Sequence, residues 1–272
     1  MCWSSSGELI KLVQLELVNL TKKFVGFTLG PLSIKVNDKE IMVIVGPNGS
    51  GKTTLLNLIC GLLKPDYGSV HVDGVDVTTV PVELRKIGYT FQNPSLFPHM
   101  NVYENIVFGL TKKREARRET DIEIKKLLDN LGILQLTHRR IDGLSGGEMQ
   151  KVSLARMLVT KPKIILMDEP LAHLDLLTKR KLRIELRQVL KRQGTPTICV
   201  THFEDDVYAL ADSVSILQNG AIEYTSKLTS LLKKRQNDNN SNNKNDQTLR
   251  LLSDTISGWQ DSNYLEGNVL KS

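Results

Sequence analysis

Ile41-Met42-Val43-Ile44-Val45-Gly46-Pro47-Asn48-Gly49-Ser50-Gly51-Lys52-Thr53-Thr54 is the stretch from which the fold can be read. Five consecutive apolar residues have the length and composition of a parallel strand covered on both faces. They run into Gly46–Thr53, which satisfies the pattern GxxxxGK[ST] in full. A helix is expected over Lys52–Cys60, with Gly61 as its C-terminal cap. Strand, glycine loop and helix in that order are the context a phosphate-binding loop requires. Its glycines let successive backbone N–H groups converge on phosphate oxygens. Lys52 would reach the terminal phosphates, and the Thr53 hydroxyl would ligate Mg²⁺.

Working outward, residues 12–45 alternate apolar and polar positions, with turn signals at Gly30-Pro31 and Asn37-Asp38. Short, partly antiparallel strands are expected there. Ser69–Val77, carrying Asp73-Gly74, is expected to form a hairpin. From Asn93 to about Thr160 the pattern turns helical. Ile122–Leu131 has apolar residues at helical spacing and stops at Gly132, and Gly146–Leu158 is a second amphipathic helix. Between them and the preceding segment, Lys112-Lys113-Arg114 and Arg117-Arg118 read as a solvated helix face. Lys163–Met167 is a second buried strand, Leu176–Gln193 a long charge-laced helix ended by Gly194, and Thr197–Thr201 a third strand. Val214–Tyr224 contains Asn219-Gly220, the preferred type I′ hairpin dipeptide. Alternating strands and helices predict an α/β fold around a parallel core.

Composition narrows the class. The 272 residues, 40% hydrophobic and 24% charged, suit a globular chain with an ample core. A net charge of +6 over this length is modest, and no nucleic-acid partner is expected from it. Cys2, Cys60 and Cys199 show no metal-ligand spacing; Cys60 and Cys199 read as small core residues, in keeping with a reducing compartment. No signal peptide is evident, and no run approaches the ~18 apolar residues needed to span a bilayer. Any membrane role is therefore expected through a partner. After about Arg235 the Asn-rich stretch Gln236–Gln247 reads as a polar linker, which places the main domain at residues 8–232 and a linker with a short tail at 233–272.

Two further segments carry chemistry. Ile164-Ile-Leu-Met-Asp168-Glu169-Pro170 ends a buried strand in two carboxylates, at the edge of a parallel sheet where ligands bind. Asp168 is placed to hold Mg²⁺, and Glu169 to polarise an attacking water as general base. Between loop and carboxylates lies Leu144-Ser145-Gly146-Gly147-Glu148. Its serine hydroxyl, glycine N–H groups and following helix N-terminus make an anion-binding feature.

Together these segments resemble the ATPase subunit of an ATP-binding-cassette (ABC) transporter, over roughly residues 12–232. The resemblance implies a phosphate-loop NTPase core with an antiparallel β subdomain and an inserted α-helical subdomain at about 93–160. It implies ATP and Mg²⁺ as cofactors. Gly46, Pro47, Asn48, Gly49, Ser50, Gly51, Lys52, Thr53 and Thr54 would cradle ATP, with Thr53, Gln92 and Asp168 toward the metal. Glu169, His202, Gln92 and Lys52 would act in catalysis, with His202 on the γ-phosphate. Leu144–Glu148 would close over the ATP of a second copy, through Ser145 and Gly147, and Asp175 would cross that dimer interface. The family more often has glutamine where this chain has Glu148, which adds negative charge near the nucleotide. Phe24 occupies the position of an adenine-stacking aromatic; a core role is the alternative, and Phe27 is close enough to compete.

Pro94–Leu110 is similar to the helical region of importer cassettes serving molybdate, tungstate, sulfate or maltose-type permeases. The resemblance implies a homodimer of cassettes at the cytoplasmic face of the membrane, peripheral through separate permease subunits. An extracytoplasmic substrate-binding protein would be an indirect partner. An oxyanion such as molybdate or tungstate is the expected cargo. An apolar face around Leu96, Phe97 and Val102 would receive a permease helix. Asn263–Ser272 resembles the first strand of a C-terminal β domain that is otherwise missing. The rival reading is a soluble ABC-type ATPase without a membrane partner; intact Lys52, Asp168, Glu169 and His202 argue against a catalytically dead subunit.

Overall fold

The computed structural model describes residues 13–110 and 117–232. Two sheets organise it. The first is antiparallel, in the order β2-β1-β4-β5, with β1 Val13–Phe24, β2 Phe27–Asn37, β4 Tyr67–Val72 and β5 Val75–Asp76. The second has the order β10-β9-β3-β8-β7-β6. In it β3 Ile41–Val45, β6 Ile87–Thr90, β7 Ile164–Asp168, β8 Thr197–Thr201 and β9 Ser213–Gln218 run parallel, while β10 Ala221–Lys227 turns back antiparallel on β9.

Every residue of β3, β7 and β8 is buried, because both faces of the parallel sheet are covered. The period-2 alternation of the strands divides the core in two. Met42 and Ile44, with Ile164, Leu166, Ile198 and Val200, face the antiparallel sheet and α1 (Lys52–Cys60). Ile41, Val43 and Val45, with Ile165, Met167 and Cys199, face the second layer. That layer holds α2 (Val102–Val107), α3 (Arg117–Asn130), α4 (Gly146–Leu158), α5 (Leu176–Gln193) and α6 (Glu204–Leu210). Helix α1 buries Leu55, Leu56, Leu58 and Ile59 completely. At about 2 kcal/mol each, these side chains hold the phosphate-loop helix to the sheet.

Several expectations are met to the residue. Helix α1 ends at a left-handed Gly61, α5 at a left-handed Gly194, and β8 covers Thr197–Thr201. Asn219 and Gly220 both take positive φ, 48° and 79°, as a type I′ turn demands. That turn also grips the site: Gly220 N–H donates to the Ser50 carbonyl, and Gly30 N–H donates to the Gly220 carbonyl.

Others require correction. Gly30-Pro31 is not a turn but lies inside β2, where pairing with β1 shifts register; the chain reverses instead at Val25-Gly26. A glycine before a proline signals a turn or a bulge equally, and only strand pairing decides between them. The strands on either side, of 12 and 11 residues, are long rather than short. Val102, the first residue of α2, is fully buried and offers nothing to a partner. Lys112, Lys113 and Arg114, the linker and the tail lie outside the described residues; Cys60 and Cys199 are buried free thiols.

Candidate nucleotide site

Parallel strands deliver their C-terminal ends to one edge of the sheet, and the site is built there. From β3 the chain enters the glycine loop. Gly49 and Gly51 take φ of 79° and 105°, which lets the loop wrap around the start of α1. No side chain caps that helix. Its first N–H groups, and the positive end of its dipole, are thus directed at the loop's concavity. A Cβ at Gly46 would lie 2.1 Å from the Leu217 carbonyl oxygen, so β9 presses directly against the loop. A Cβ at Gly51 would lie 2.7 Å from Leu29 Cδ1 and 3.2 Å from Phe27 Cζ.

The side chains of the site converge from four elements, α1, β6, β7 and β8. Lys52 is buried and donates to the carbonyls of Gly46 at 2.7 Å and Pro47 at 2.9 Å. Burial lowers its pKa, against the attraction of the Glu169 and Asp168 charges. Thr53 donates its hydroxyl to Asp168 Oδ2 at 2.8 Å. From β6, Tyr89 donates its hydroxyl to the same oxygen at 3.3 Å. Just beyond β6, Gln92 Nε2 donates to Glu169 Oε2 at 3.4 Å. After β8, His202 Nδ1 meets Glu169 Oε1 at 2.8 Å.

Glu169 leaves β7 with φ of 44°, a left-handed conformation that glutamate rarely adopts. Its N–H still pairs with the Val200 carbonyl at 3.0 Å, so the strained residue is held by the ladder while the chain turns. The two adjacent carboxyls then diverge. Burial raises Asp168 above the usual carboxylate range; the Thr53 bond opposes this and the Glu169 charge adds to it. Burial acts on Glu169 in the same direction, but the contact with His202 and the charge of Lys52 outweigh it and hold Glu169 below its ordinary value. Glu169 is therefore an ionised acceptor at neutral pH. Burial, with Asp168 beside it, pushes the Tyr89 phenol far up, so that it stays a protonated donor.

Phe24, Phe27, Asn48, Gly49, Gly51, Lys52, Thr53, Thr54, Gln92, Asp168, Glu169 and His202 line one cleft of about 690 Å³, which suits a nucleotide. The two phenylalanines divide the roles left open between them. Phe24 is exposed at the tip of the β1-β2 hairpin, whereas Phe27 packs into the core beneath Gly51. Their rings stack with centroids 6.3 Å apart. Phe24 is the more exposed of the two at the cleft. The residues present fit Mg²⁺ and a triphosphate. Thr53 and Asp168 offer hard oxygen donors within hydrogen-bond distance of each other, and buried Ser50 Oγ in the loop makes no hydrogen bond. One carboxylate and one hydroxyl suffice where phosphate oxygens complete the shell.

Leu144–Glu148 lies elsewhere, and none of it lines the cleft. Leu144 is buried; Ser145 and Gly146 are exposed at the start of α4, whereas Gly147, expected with Ser145 to contact a second copy's ATP, is buried against Thr178 of α5. Ser145 is the N-cap and forms a reciprocal capping box with Glu148. Glu148 Oε2 accepts from the Ser145 N–H at 2.8 Å and from its hydroxyl at 2.9 Å. These bonds lower the Glu148 pKa, the backbone one most. Asp175, exposed, caps α5 by accepting from the N–H groups of Leu177 and Thr178.

The family model for ABC transporters matches residues 29–172. This chain belongs to the ABC transporter family of ATP-binding cassettes. The cassette is 41% identical over 208 residues to the molybdate/tungstate import ATP-binding protein of Pyrococcus abyssi, covering 76% of this chain and 60% of that protein. It is 42% identical over 216 residues to the sulfate/thiosulfate import ATP-binding protein of Vibrio cholerae, covering 78% and 57%. It is 38% identical over 206 residues to the spermidine/putrescine import ATP-binding protein of Protochlamydia amoebophila, covering 75% and 55%. The chain thus matches well under two thirds of the length of these relatives. Among solved structures, an ABC transporter cassette in its ADP conformation superposes with a TM-score of 0.72 at 31% identity, covering 82% of this chain and 94% of that one. A cassette from Clostridium perfringens, part of an ABC transporter complex, gives 0.74 at 26% identity, covering 89% and 99%.

Three contributions were invisible in the sequence. Tyr89 reaches Asp168 because β6 lies beside β7, with Tyr89 opposite Leu166. Arg156, on α4, fastens the segment after Gln92 through the carbonyls of Pro94 and Ser95, both at 3.0 Å. Phe203 packs against His202, its ring tilted 38° with centroids 4.0 Å apart. None belongs to a sequence motif considered above; each depends on which strand or helix lies alongside.

Proposed function

We propose that this cassette binds and hydrolyses ATP, as the energy-coupling subunit of an importer whose permease is a separate membrane protein. The observation that carries the reading is the convergence of Lys52, Thr53, Gln92, Asp168, Glu169 and His202 on one cleft beside an uncapped helix N-terminus. Phosphates would sit on the loop N–H groups of Gly46–Thr54, with Lys52 turning from its own carbonyls toward the terminal phosphates. Mg²⁺, held by Thr53 and Asp168 with Gln92 nearby, would neutralise charge on the phosphates. Glu169, ionised and held by Gln92 and His202, would take a proton from water as it attacks the γ-phosphorus in line; the bond to the ADP oxygen breaks. His202 would use its remaining ring nitrogen toward the γ-phosphate.

A second copy completes the site. Ser145 and Gly147 at the start of α4 would close over the partner's ATP, and Asp175 would lie at the same interface. Closure would drive the permease, docked near Gln92. The exposed aromatic surface there is Phe91 and Phe108, with Phe97 packed on Phe108 at 4.4 Å. It replaces Val102 in the docking face expected from sequence. No described helix is long and apolar enough to cross a membrane. We place the cassette at the cytoplasmic face of the membrane, peripheral through the permease, with a substrate-binding protein as indirect partner and no nucleic acid. An oxyanion of the molybdate or tungstate kind is the cargo we favour, on the similarity to molybdate/tungstate import ATP-binding proteins.

The test is Glu169→Gln in the full chain. ATP binding should persist while turnover falls by about 10²- to 10⁴-fold; turnover at the wild-type rate would remove Glu169 from the role of base. Uptake of labelled molybdate by cells carrying the cassette with its permease, and none of labelled spermidine, would support the cargo; the reverse would overturn it.

A further inference from the structure

The loop that carries His202 is fastened to α5 at two points one helical turn apart. Arg183 donates to Asp206 at 2.6 Å and to Asp205 at 3.0 Å, and Thr201 donates its hydroxyl to Asp206 at 2.9 Å. The Arg183–Asp206 pair is buried, with side chains 7% and 2% exposed, and forms a fixed anchor. Four residues earlier, on the same face of α5, Lys179 places its ammonium 4.2 Å from the centre of the Phe203 ring. The Phe203 ring is also the one packed against the His202 imidazole, tilted 38° to it.

Phe203 is an odd choice by local rules. It is the N-cap of α6, a position that favours a short polar side chain, and it makes no side-chain cap bond. Thr201 accepts the Phe203 N–H at 3.1 Å instead. A residue that breaks a local preference invites a non-local reason. Here the ring fills the space between the α5 lysine and the imidazole. The imidazole has two supports: Nδ1 on Glu169, and Phe203.

We propose that Lys179 and Phe203 are positioning residues for His202, joining it to the helix whose N-cap is Asp175. A movement of Asp175 at the dimer interface would move the first turn of α5, and Lys179 with it. Phe203 would carry that shift to the imidazole. One nucleotide site would thereby sense closure of the other. The inference rests on the reading of His202 as a γ-phosphate contact.

The experiment compares Lys179→Gln, Lys179→Arg, Phe203→Leu, the double variant K179Q/F203L and His202→Ala in the full chain. Steady-state ATPase, titration with a fluorescent ATP analogue and Tm are measured for each. K179Q and F203L should each lower kcat about twofold to fivefold, with ATP affinity and Tm unchanged. K179R should restore kcat, since a guanidinium also stacks on an aromatic face. The double variant should be no slower than F203L alone, because both act through one contact. Wild-type kcat in K179Q, losses that multiply in the double variant, or a fall in ATP affinity or Tm that K179R does not repair would each overturn the proposal. Wild-type turnover in H202A would instead overturn the role of His202 itself.

Discussion

The cassette presents two glycine-bearing segments at the start of a helix, and they are finished differently. At α1 the N-cap is Gly51, left-handed at φ 105°, and no side chain caps the helix. At α4 the N-cap is Ser145, and the capping box with Glu148 satisfies hydroxyl, N–H and carboxylate reciprocally. The first end leaves its donors for a ligand and is held by neighbours: Leu217 beneath Gly46, and Gly220 on Ser50. The second is complete within its own turn, with Ser145 and Gly146 exposed and Gly147 buried. On the function proposed above, one is a site in waiting, and the other would become part of a site only when a phosphate displaced Glu148 from the serine. Preorganisation would thus lie with the loop that binds within the chain, and adaptability with the segment proposed to meet another copy.

The largest expected effect breaks the loop side. Gly46→Ala puts a Cβ against the Leu217 carbonyl and should weaken ATP binding by more than about 100-fold, read by nucleotide titration. Retained affinity would show that the loop is not gripped as described. Ser145→Arg attacks the other side alone. ATP binding should be unaltered within about twofold, while ATP-driven dimerisation by size-exclusion chromatography disappears and turnover falls about 100-fold. Turnover surviving that change would dissolve the contrast between the two ends.

Smaller effects sharpen it. Tyr89→Phe removes one donor from Asp168 and should raise the Mg²⁺ concentration for half-maximal turnover about threefold. An unchanged Mg²⁺ requirement would make the tyrosine a packing residue. Glu148→Gln replaces an internal anion by a neutral acceptor and should strengthen ATP-driven dimerisation about twofold. Because Ser145 holds Glu148 below the usual carboxylate range, its charged contacts are intact above that range and fade only as pH falls through the lowered value. The E148Q difference should therefore be constant between about pH 8 and pH 5. A difference that disappears by mild acidification would point to a group other than Glu148.

The legible part of the fold follows from local chemistry. Gly61 and Gly194 end their helices because each adopts a left-handed conformation at little cost, and the run Thr197–Thr201 is β-branched or apolar throughout. Gly30-Pro31 misled because strand pairing overrode a turn signal, and Val102 because a short apolar run does not say which of its faces is covered. Gln92, Asp168, Glu169 and His202 could be placed along the chain by resemblance, yet nothing local shows that Gln92 and His202 both hold Glu169. That joint contact spans separations of 77 and 33 residues.

By itself the sequence determined that a strand delivers a glycine loop to a helix, that carboxylates end a second buried strand, and which family the chain resembles. Such features need only residue identity and spacing, because backbone conformation and burial period are local properties. Tertiary structure alone decided that Phe24 is exposed at the cleft while Phe27 also packs on the core, that Tyr89 shares Asp168 with Thr53, and that adjacent Asp168 and Glu169 shift in opposite directions. It also decided that Phe203 joins His202 to α5. Those outcomes depend on which strands and helices lie side by side, and hence on desolvation and contact across the sheet, which no short stretch of chain encodes.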